Sequence, residues 1–390
     1  MTRDAGLRDT GLSRVTCLAV SCPLFFEIGR KIKEFCLILT PTLRILLLPI
    51  SLLYHIVLAI RHKLYDWHIL KTTRFEKPVI CVGNLKLGGT GKTPHTEYLI
   101  RLLKNDHRVA TLSRGYGRRT KGFRLAETSS KFEDLGDEPL LYFKKYPGIQ
   151  VAVDEDRVNG VTHLLGEQGV NVVLLDDAFQ HRSISAGLNI LLTEYQRLYT
   201  DDYLFPAGTL RDVRSAAKRA EIIVVSKAPK DLDEEEKQQI INKLNISKGQ
   251  KVYFSYLEYA PLQPLNEAAK RVPIENTDSV LAFCGIADPK PFVEELKKHF
   301  KTVDFLSFAD HHAYTENDVK TIVERYKTLS GEKKIIVTTE KDAARLTNSP
   351  YLCQFECVPL YDLPVAVRFH EEEKFNEEIL NYVRKNAHHG

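Results

Sequence analysis

Pro78-Val-Ile-Cys-Val-Gly-Asn-Leu-Lys-Leu-Gly-Gly-Thr-Gly-Lys-Thr-Pro94 decides the fold. Val79 to Val82 is an apolar run of strand length. A glycine-rich turn follows, and Lys92-Thr93 opens a helical pattern through Leu99, Leu102 and Leu103. Strand, glycine turn, Lys-Thr and helix in that order make a phosphate-binding loop. Gly88, Gly89 and Gly91 let the backbone turn tightly and aim N–H groups at phosphate oxygens. The helix N-terminus adds partial positive charge. Lys86 to Thr93 are therefore the nucleotide-binding candidates: Lys86, Leu87, Gly88, Gly89, Thr90, Gly91, Lys92 and Thr93. Lys92 reaches for the β- and γ-phosphates, and the Thr93 hydroxyl suits a Mg²⁺ shell. The loop is a variant, because Lys86 stands where the usual pattern has its first glycine.

Outward from the loop, residues 77 to 220 alternate apolar runs with helical segments. Strands are expected at Val79–Val82, Val109–Leu112, Gln150–Val153, Val172–Leu175, Asn189–Leu192 and Ile222–Val225. Helices are expected from Thr93, near Asp137 and near Arg157. That alternation predicts a parallel sheet covered on both faces, with ligands at the carboxyl ends of its strands. A second α/β segment runs from about Pro229 to Leu346, and a polar helix covers residues 370 to 385. The expected class is α/β: a P-loop NTPase-like, mostly parallel sheet with flanking helices, a smaller α/β C-terminal domain and an N-terminal hydrophobic helix. The expected division is 1–35, a variable extension; 36–70, a membrane-associating hydrophobic helix; 71–220, the kinase-type domain; and 221–390, the smaller domain with the C-terminal helix.

The chain has 390 residues, enough for two cored domains, and a formal net charge of +4. No Arg-rich arm, recognition-helix signature or zinc motif points to nucleic acid. The seven cysteines are scattered, as free thiols in a reducing compartment are. The most apolar stretch runs from Leu37 to Ile60, broken by Arg44, Pro49 and His55 and followed by Arg61-His-Lys63, Tyr65 and Trp67. A spanning helix needs roughly 20 apolar residues. The interruptions and the cationic, aromatic flank favour a helix lying in a membrane face, ahead of a single span or a core helix.

Chemistry is carried by polar residues at strand ends. Val172-Val-Leu-Leu-Asp-Asp177 ends an apolar strand in two carboxylates, and in phosphate-loop enzymes such an Asp holds Mg²⁺. His181 and Arg182 either line that site or cap its loop. Ser113-Arg-Gly-Tyr-Gly-Arg-Arg119 offers cationic donors, or is a solvated basic turn. Asp137, taken by itself, reads as an N-cap. Asp310-His311-His312 pairs a carboxylate with imidazoles suited to removing a proton from an alcohol, or is a plain loop. Arg211 is placed to meet phosphate charge. Ser226-Lys-Ala-Pro229 lacks the Asn and Asp of a guanine-recognition motif, which favours ATP.

In order along the chain, Val82-Gly-Asn, Gly88-Gly-Thr-Gly-Lys-Thr-Pro94, Ser113-Arg-Gly-Tyr-Gly117, Gly136-Asp-Glu-Pro139, Asp176-Asp-Ala-Phe-Gln-His181, Pro206-Ala-Gly-Thr-Leu-Arg211, Phe283-Cys-Gly-Ile286, Asp310-His-His312 and Thr338-Thr-Glu-Lys-Asp-Ala343 resemble the tetraacyldisaccharide 4'-kinase family, the lipid A 4'-kinases of Gram-negative bacteria. The resemblance implies a kinase at the cytoplasmic face of the inner membrane. It implies transfer of the ATP γ-phosphate to the 4'-hydroxyl of tetraacyldisaccharide 1-phosphate, with Mg²⁺, by a monomer that binds no nucleic acid. It also implies that Asp137 and His311 activate the acceptor hydroxyl, with Asp310, Lys92 and Arg211 beside them. By the same resemblance the metal is held by Thr93, Asp176, Asp177 and Asp212, where the family often has Glu in place of Asp212. A rival reading is a membrane-associated regulatory ATPase, although the signature Lys before its glycine doublet is here Leu87. A second rival is a nucleotide-gated lipid-binding scaffold.

Overall fold

The computed structural model describes residues 44–166, 168–272, 274–346 and 350–387. The expected extension over 1–35 and the front of the apolar run lie outside them.

A nine-stranded sheet organises the first lobe. In spatial order its strands are Val365–Phe369, Lys251–Tyr259, Ile222–Ser226, Leu188–Glu194, Val79–Asn84, Val172–Asp176, Val109–Ser113, Gln150–Val153 and Arg124–Leu125. All neighbours are parallel except the outermost pair at each edge. Alternate residues of each strand face opposite layers. Cys81, Leu112, Leu175, Leu191 and Val225 pack towards the helix Arg157–Gly166. Ile80, Val82, Leu174, Ile190 and Val224 pack towards the helices Lys92–Leu103 and Glu372–Ala387 through Leu99, Leu103, Phe375 and Ile379.

The large sheet extends well past residue 220. Ile222–Ser226, Lys251–Tyr259, Val365–Phe369 and the C-terminal helix all belong to it. The boundary expected near 220 therefore runs through this sheet, because hydrogen-bonded ladders tie those strands to Leu188–Glu194. The second lobe is built on a five-stranded sheet, ordered Gln263–Pro264, Leu360–Leu363, Lys334–Thr339, Ser279–Cys284 and Thr302–Ser307. The chain enters this lobe after Tyr259 and returns at Val365, and those two residues are register partners.

The N-terminal helix is Leu48–Asp66. Among the described residues no helix is long and apolar enough to cross a membrane. Nor is this a core helix: Ile50, Leu52, Leu53, Ile56, Val57 and Ile60 are exposed, while Ser51, Leu58 and His62 are buried. An apolar stripe of this size is a surface for lipid or partner.

Candidate active site

The phosphate loop closes as its residues dictate. Gly91 takes φ +81° and forms the N-cap of the helix Lys92–Leu103. That left-handed turn suits glycine and leaves the first helical N–H groups open to a ligand. Asn84 at the strand end donates to Thr90 Oγ1 at 2.7 Å, and Ser226 Oγ donates to the Thr90 carbonyl at 2.9 Å. Two strand ends, one on either side of Leu188–Glu194, thus hold the loop in shape.

The strand Val172–Asp176 delivers its carboxylates to the same place. Asp177 sits in the left-handed region at φ +53°. Arg211 grips both of its oxygens and donates to Asn84 Oδ1 at 2.7 Å. Lys92 Nζ lies 3.7 Å from Asp177 Oδ1. Burial presses the Lys92 ammonium down from its usual range, with Asp177 opposing. Burial also disfavours the Asp177 anion, yet Arg211 and Lys92 outweigh it and hold the carboxyl well below the ordinary range. Asp176 differs. It is 4% exposed, Tyr142 donates to its Oδ2 at 2.9 Å, and its Oδ1 is buried with no hydrogen-bond partner. Burial, Glu138 and Asp177 push its carboxyl up to about 7. The Asp176 Oδ1 is thus an unpartnered, anion-crowded oxygen on the strand next to the phosphate-loop strand.

A third group comes from both lobes. Gly136, at φ +88°, packs so tightly that a Cβ there would meet the Tyr116 carbonyl at 2.4 Å. It presents Asp137 at the start of the helix Asp137–Lys145. Asp137 is 3% exposed. Its Oδ2 takes a 2.6 Å contact from His311 Nδ1 and a hydrogen bond from Arg345, while its Oδ1 is buried and unpartnered. Arg345 is itself fixed by Asp342 Oδ1 at 2.7 Å and the Gly285 carbonyl at 2.9 Å. His311 stands at φ +60° and its ring lies 4.6 Å from that of Tyr116. Asp310 is 3.8 Å from His311 Nε2, an ion-pair distance rather than a hydrogen bond. Lys341 and Glu138 join the lobes at 2.7 Å, Lys145 and Glu340 at 2.6 Å, and Lys227 and Asp288 at 2.9 Å. Beside the loop opens a cleft of about 990 Å³, lined by Lys86, Gly89, Glu194, Lys227, Asp288 and Asp310.

Several residues stand differently from expectation. Asp212 is not grouped with Asp176 and Asp177 by its contacts. His62 Nε2 meets its Oδ1 at 2.6 Å and Arg219 its Oδ2 at 3.4 Å, because the helix Leu48–Asp66 packs over it. Lys86 is drawn to Glu194, and the Leu87 N–H bonds the Thr209 carbonyl at 3.0 Å. His181 is partly buried, and desolvation with the charges of Arg157 and Arg114 pushes it down to about 3, which favours the neutral ring. Arg182 turns to the N-terminal helix, meeting Asp66 at 2.8 Å. Arg118 pairs with Glu155 at 2.7 Å. Sequence reasoning missed Arg345, Glu138, Lys341, Tyr142, Glu194 and His62. Glu138 and Lys341 stood inside the quoted Gly136–Pro139 and Thr338–Ala343 motifs without a role, and Arg345 lies two residues beyond the second.

Fold and site together define a phosphate-loop kinase: a nucleotide cradle shares its lobe with an acid whose imidazole partner is delivered from the second lobe. The family described as LpxK, tetraacyldisaccharide-1-P 4'-kinase, matches residues 43–384. The tetraacyldisaccharide 4'-kinase of Bacteroides thetaiotaomicron is 45% identical over 357 residues, 87% of this chain and 93% of that protein. That of Flavobacterium johnsoniae is 46% identical over 347 residues, 88% of this chain and 98% of that protein. A crystal structure of LpxK from Aquifex aeolicus in complex with ATP superposes with a TM-score of 0.66 at 33% identity, covering 87% of this chain and 99% of that one. The chain belongs to the tetraacyldisaccharide-1-P 4'-kinase family.

Proposed function

We propose that this chain transfers the γ-phosphate of ATP to the 4'-hydroxyl of a tetraacyldisaccharide 1-phosphate, acting as a monomer at the cytoplasmic surface of the inner membrane. The observation that carries the reading is the unpartnered Asp137 Oδ1, held beside the phosphate loop by His311 and Arg345 of the other lobe. An ATPase without an alcohol acceptor has no use for that oxygen.

In this reading, the N–H groups of Gly88 to Thr93 and the Lys92 ammonium bind the triphosphate. Arg211, aligned by Asp177 and Asn84, faces the charge that builds on the transferred group. Asp137 Oδ1 accepts the hydrogen of the acceptor hydroxyl and orients its oxygen for in-line attack. His311 and Arg345 keep Asp137 ionised and fix its rotamer. Mg²⁺ fits Asp176 Oδ1 and the Thr93 hydroxyl, where it would neutralise charge between the β- and γ-phosphates. Asp177 lies one residue away, and Asp212 is better explained as an anchor for the N-terminal helix. The exposed face of Leu48–Asp66 lies in the lipid that carries the acceptor.

The decisive experiment follows label from γ-labelled ATP into tetraacyldisaccharide 1-phosphate in detergent micelles, with and without Mg²⁺. Labelled lipid that forms only with Mg²⁺ is the expected result. Free phosphate without labelled lipid would point instead to the regulatory ATPase.

A further inference from the structure

The helix Leu48–Asp66 inverts the usual arrangement of a surface helix. Its large apolar side chains point out, and its hydrogen-bonding side chains point in. The inward groups nearly all land on one short segment. Ser51 Oγ donates to the Leu204 carbonyl at 2.9 Å and accepts from the Ala207 N–H at 3.0 Å. Tyr54 donates to the Arg211 carbonyl at 3.0 Å. His62 meets Asp212 at 2.6 Å. On its other side the segment is laced to the phosphate loop, through Arg211 N–H to the Leu85 carbonyl at 2.8 Å and Leu87 N–H to the Thr209 carbonyl at 3.0 Å.

We infer that Tyr54 and His62 are positioning residues for phosphate transfer, through which the lipid-facing helix sets the placement of Arg211. The inference rests on the kinase reading above. Arg61 donating to the Gln180 carbonyl and Arg182 donating to the His62 carbonyl, both at 3.0 Å, secure the C-terminal half of the helix in the same rotation, and Leu58 is its one buried large apolar side chain. The rotation that turns Ile50, Leu53, Ile56 and Val57 towards lipid is therefore the rotation that seats Tyr54 and His62 on the Arg211-Asp212 pair. Asp212 is 1% exposed, so without His62 its carboxylate keeps only Arg219 and the Val213 N–H. A buried carboxylate left short of partners moves until it finds them, and it moves Arg211 with it. Displacements of about 1 Å in such a group cost on the order of a hundredfold in rate.

The test uses the full chain with Tyr54→Phe, His62→Ala and His62→Gln. Each is assayed for kcat and for KM towards ATP on acceptor in mixed micelles. Each is also assayed for cosedimentation with phosphatidylethanolamine–phosphatidylglycerol vesicles. Tyr54→Phe and His62→Ala are expected to lower kcat by about tenfold or more. KM for ATP and vesicle binding should stay at the parent values. His62→Gln keeps an N–H at similar reach and should recover most of the loss. Unchanged kcat in the Phe and Ala variants overturns the inference. So does a vesicle affinity that falls in step with kcat, which would make the helix an anchor only. A Gln variant as impaired as Ala, with a lowered melting temperature, reduces His62 to a structural part and overturns it too. A parent that labels no lipid overturns the kinase reading and this inference with it; an active parent with indifferent variants overturns this inference alone.

Discussion

Asp137 is buried, and burial alone would keep its proton on. Hydrogen bonds from His311 and Arg345, with the charges of Arg345 and Lys341, more than offset this and hold the carboxyl well below the carboxylate range. An acid held so low is ionised at any working pH, and it is better at orienting a hydroxyl than at taking its proton early. Removing Arg345 takes away one of those opposing effects, so the folded value rises. Arg345→Ala is expected to move the acid limb of the kcat profile to higher pH and to lower kcat more than ATP affinity. Arg345→Lys should fall between. A titration of kcat from pH 4 to 8 checks the shift. The Asp137 contribution to stability has the usual sign for a depressed carboxyl: it is complete above the ordinary value of 3.8 and is lost as pH falls below it. Asp176 has the opposite sign, being pushed up to about 7. A cation at Asp176 favours the ionised form, so binding of Mg²⁺ with nucleotide should release a proton below pH 7 and tighten as pH rises through it. Calorimetry in two buffers of different ionisation enthalpy reads that proton directly. Lys92, Asp176 and Asp177 were legible in the sequence because each lies in a motif whose residue types admit few other uses, whereas Asp137 alone reads as an N-cap and His311 alone as a loop residue, and only the family resemblance paired them. Arg345 and His62 were not legible. A lone Arg on a short helix, or a His among apolar residues, has no local signature. Each acquires a role only when distant segments close on it, Arg345 at Asp137 and His62 at Asp212.

Strands announced themselves through buried apolar runs, and their centres fell where the runs did. Their ends ran one or two residues further, as at Glu194 and Ser226, because the ladder continues into the polar residues at the strand ends. The second half of Lys251–Tyr259 is stabilised by the returning strand Val365–Phe369, a pairing that local pattern does not reveal. The apolar helix was legible as an element but not in orientation. Composition marked it for lipid; only the structure shows that Ser51, Tyr54 and His62 are its inner face. Leu53 and Ile56 are on the outer face, exposed by 63% and 47%. Burying such a side chain in lipid is worth about 1.5–3 kcal/mol. Leu53→Glu and Ile56→Glu are each expected to weaken vesicle cosedimentation roughly tenfold or more, with no change in melting temperature. A change in melting without a change in sedimentation would place these residues against protein rather than lipid.

The molecule as a whole is two lobes meeting across charge pairs, with Asp137 in the seam. The first lobe is assembled from both ends of the chain. Tyr382 of the C-terminal helix bonds the Val79 carbonyl at 3.1 Å, and Phe369 stacks on Phe375 at 3.9 Å over Tyr98 of the loop helix. A fragment ending at residue 220 would expose Ile190, Val224 partners and the loop helix together. It is expected to bind a hydrophobic dye and to lack a cooperative melt, whereas the full chain melts cooperatively. The return of the chain beside its own exit has a further meaning. Tyr259 and Val365 face each other across an antiparallel ladder, and the Ala260 N–H still reaches the Pro364 carbonyl at 3.0 Å. Topologically, residues 260–364 are a cassette spliced into the tip of a hairpin. An Asn-Gly turn joining Tyr259 to Val365 would close that hairpin with its register intact. The product should be a miniature nucleotide binder that holds ATP and transfers nothing, a kinase divided at its seam into a module that grips the donor and a removable one that makes the acceptor react.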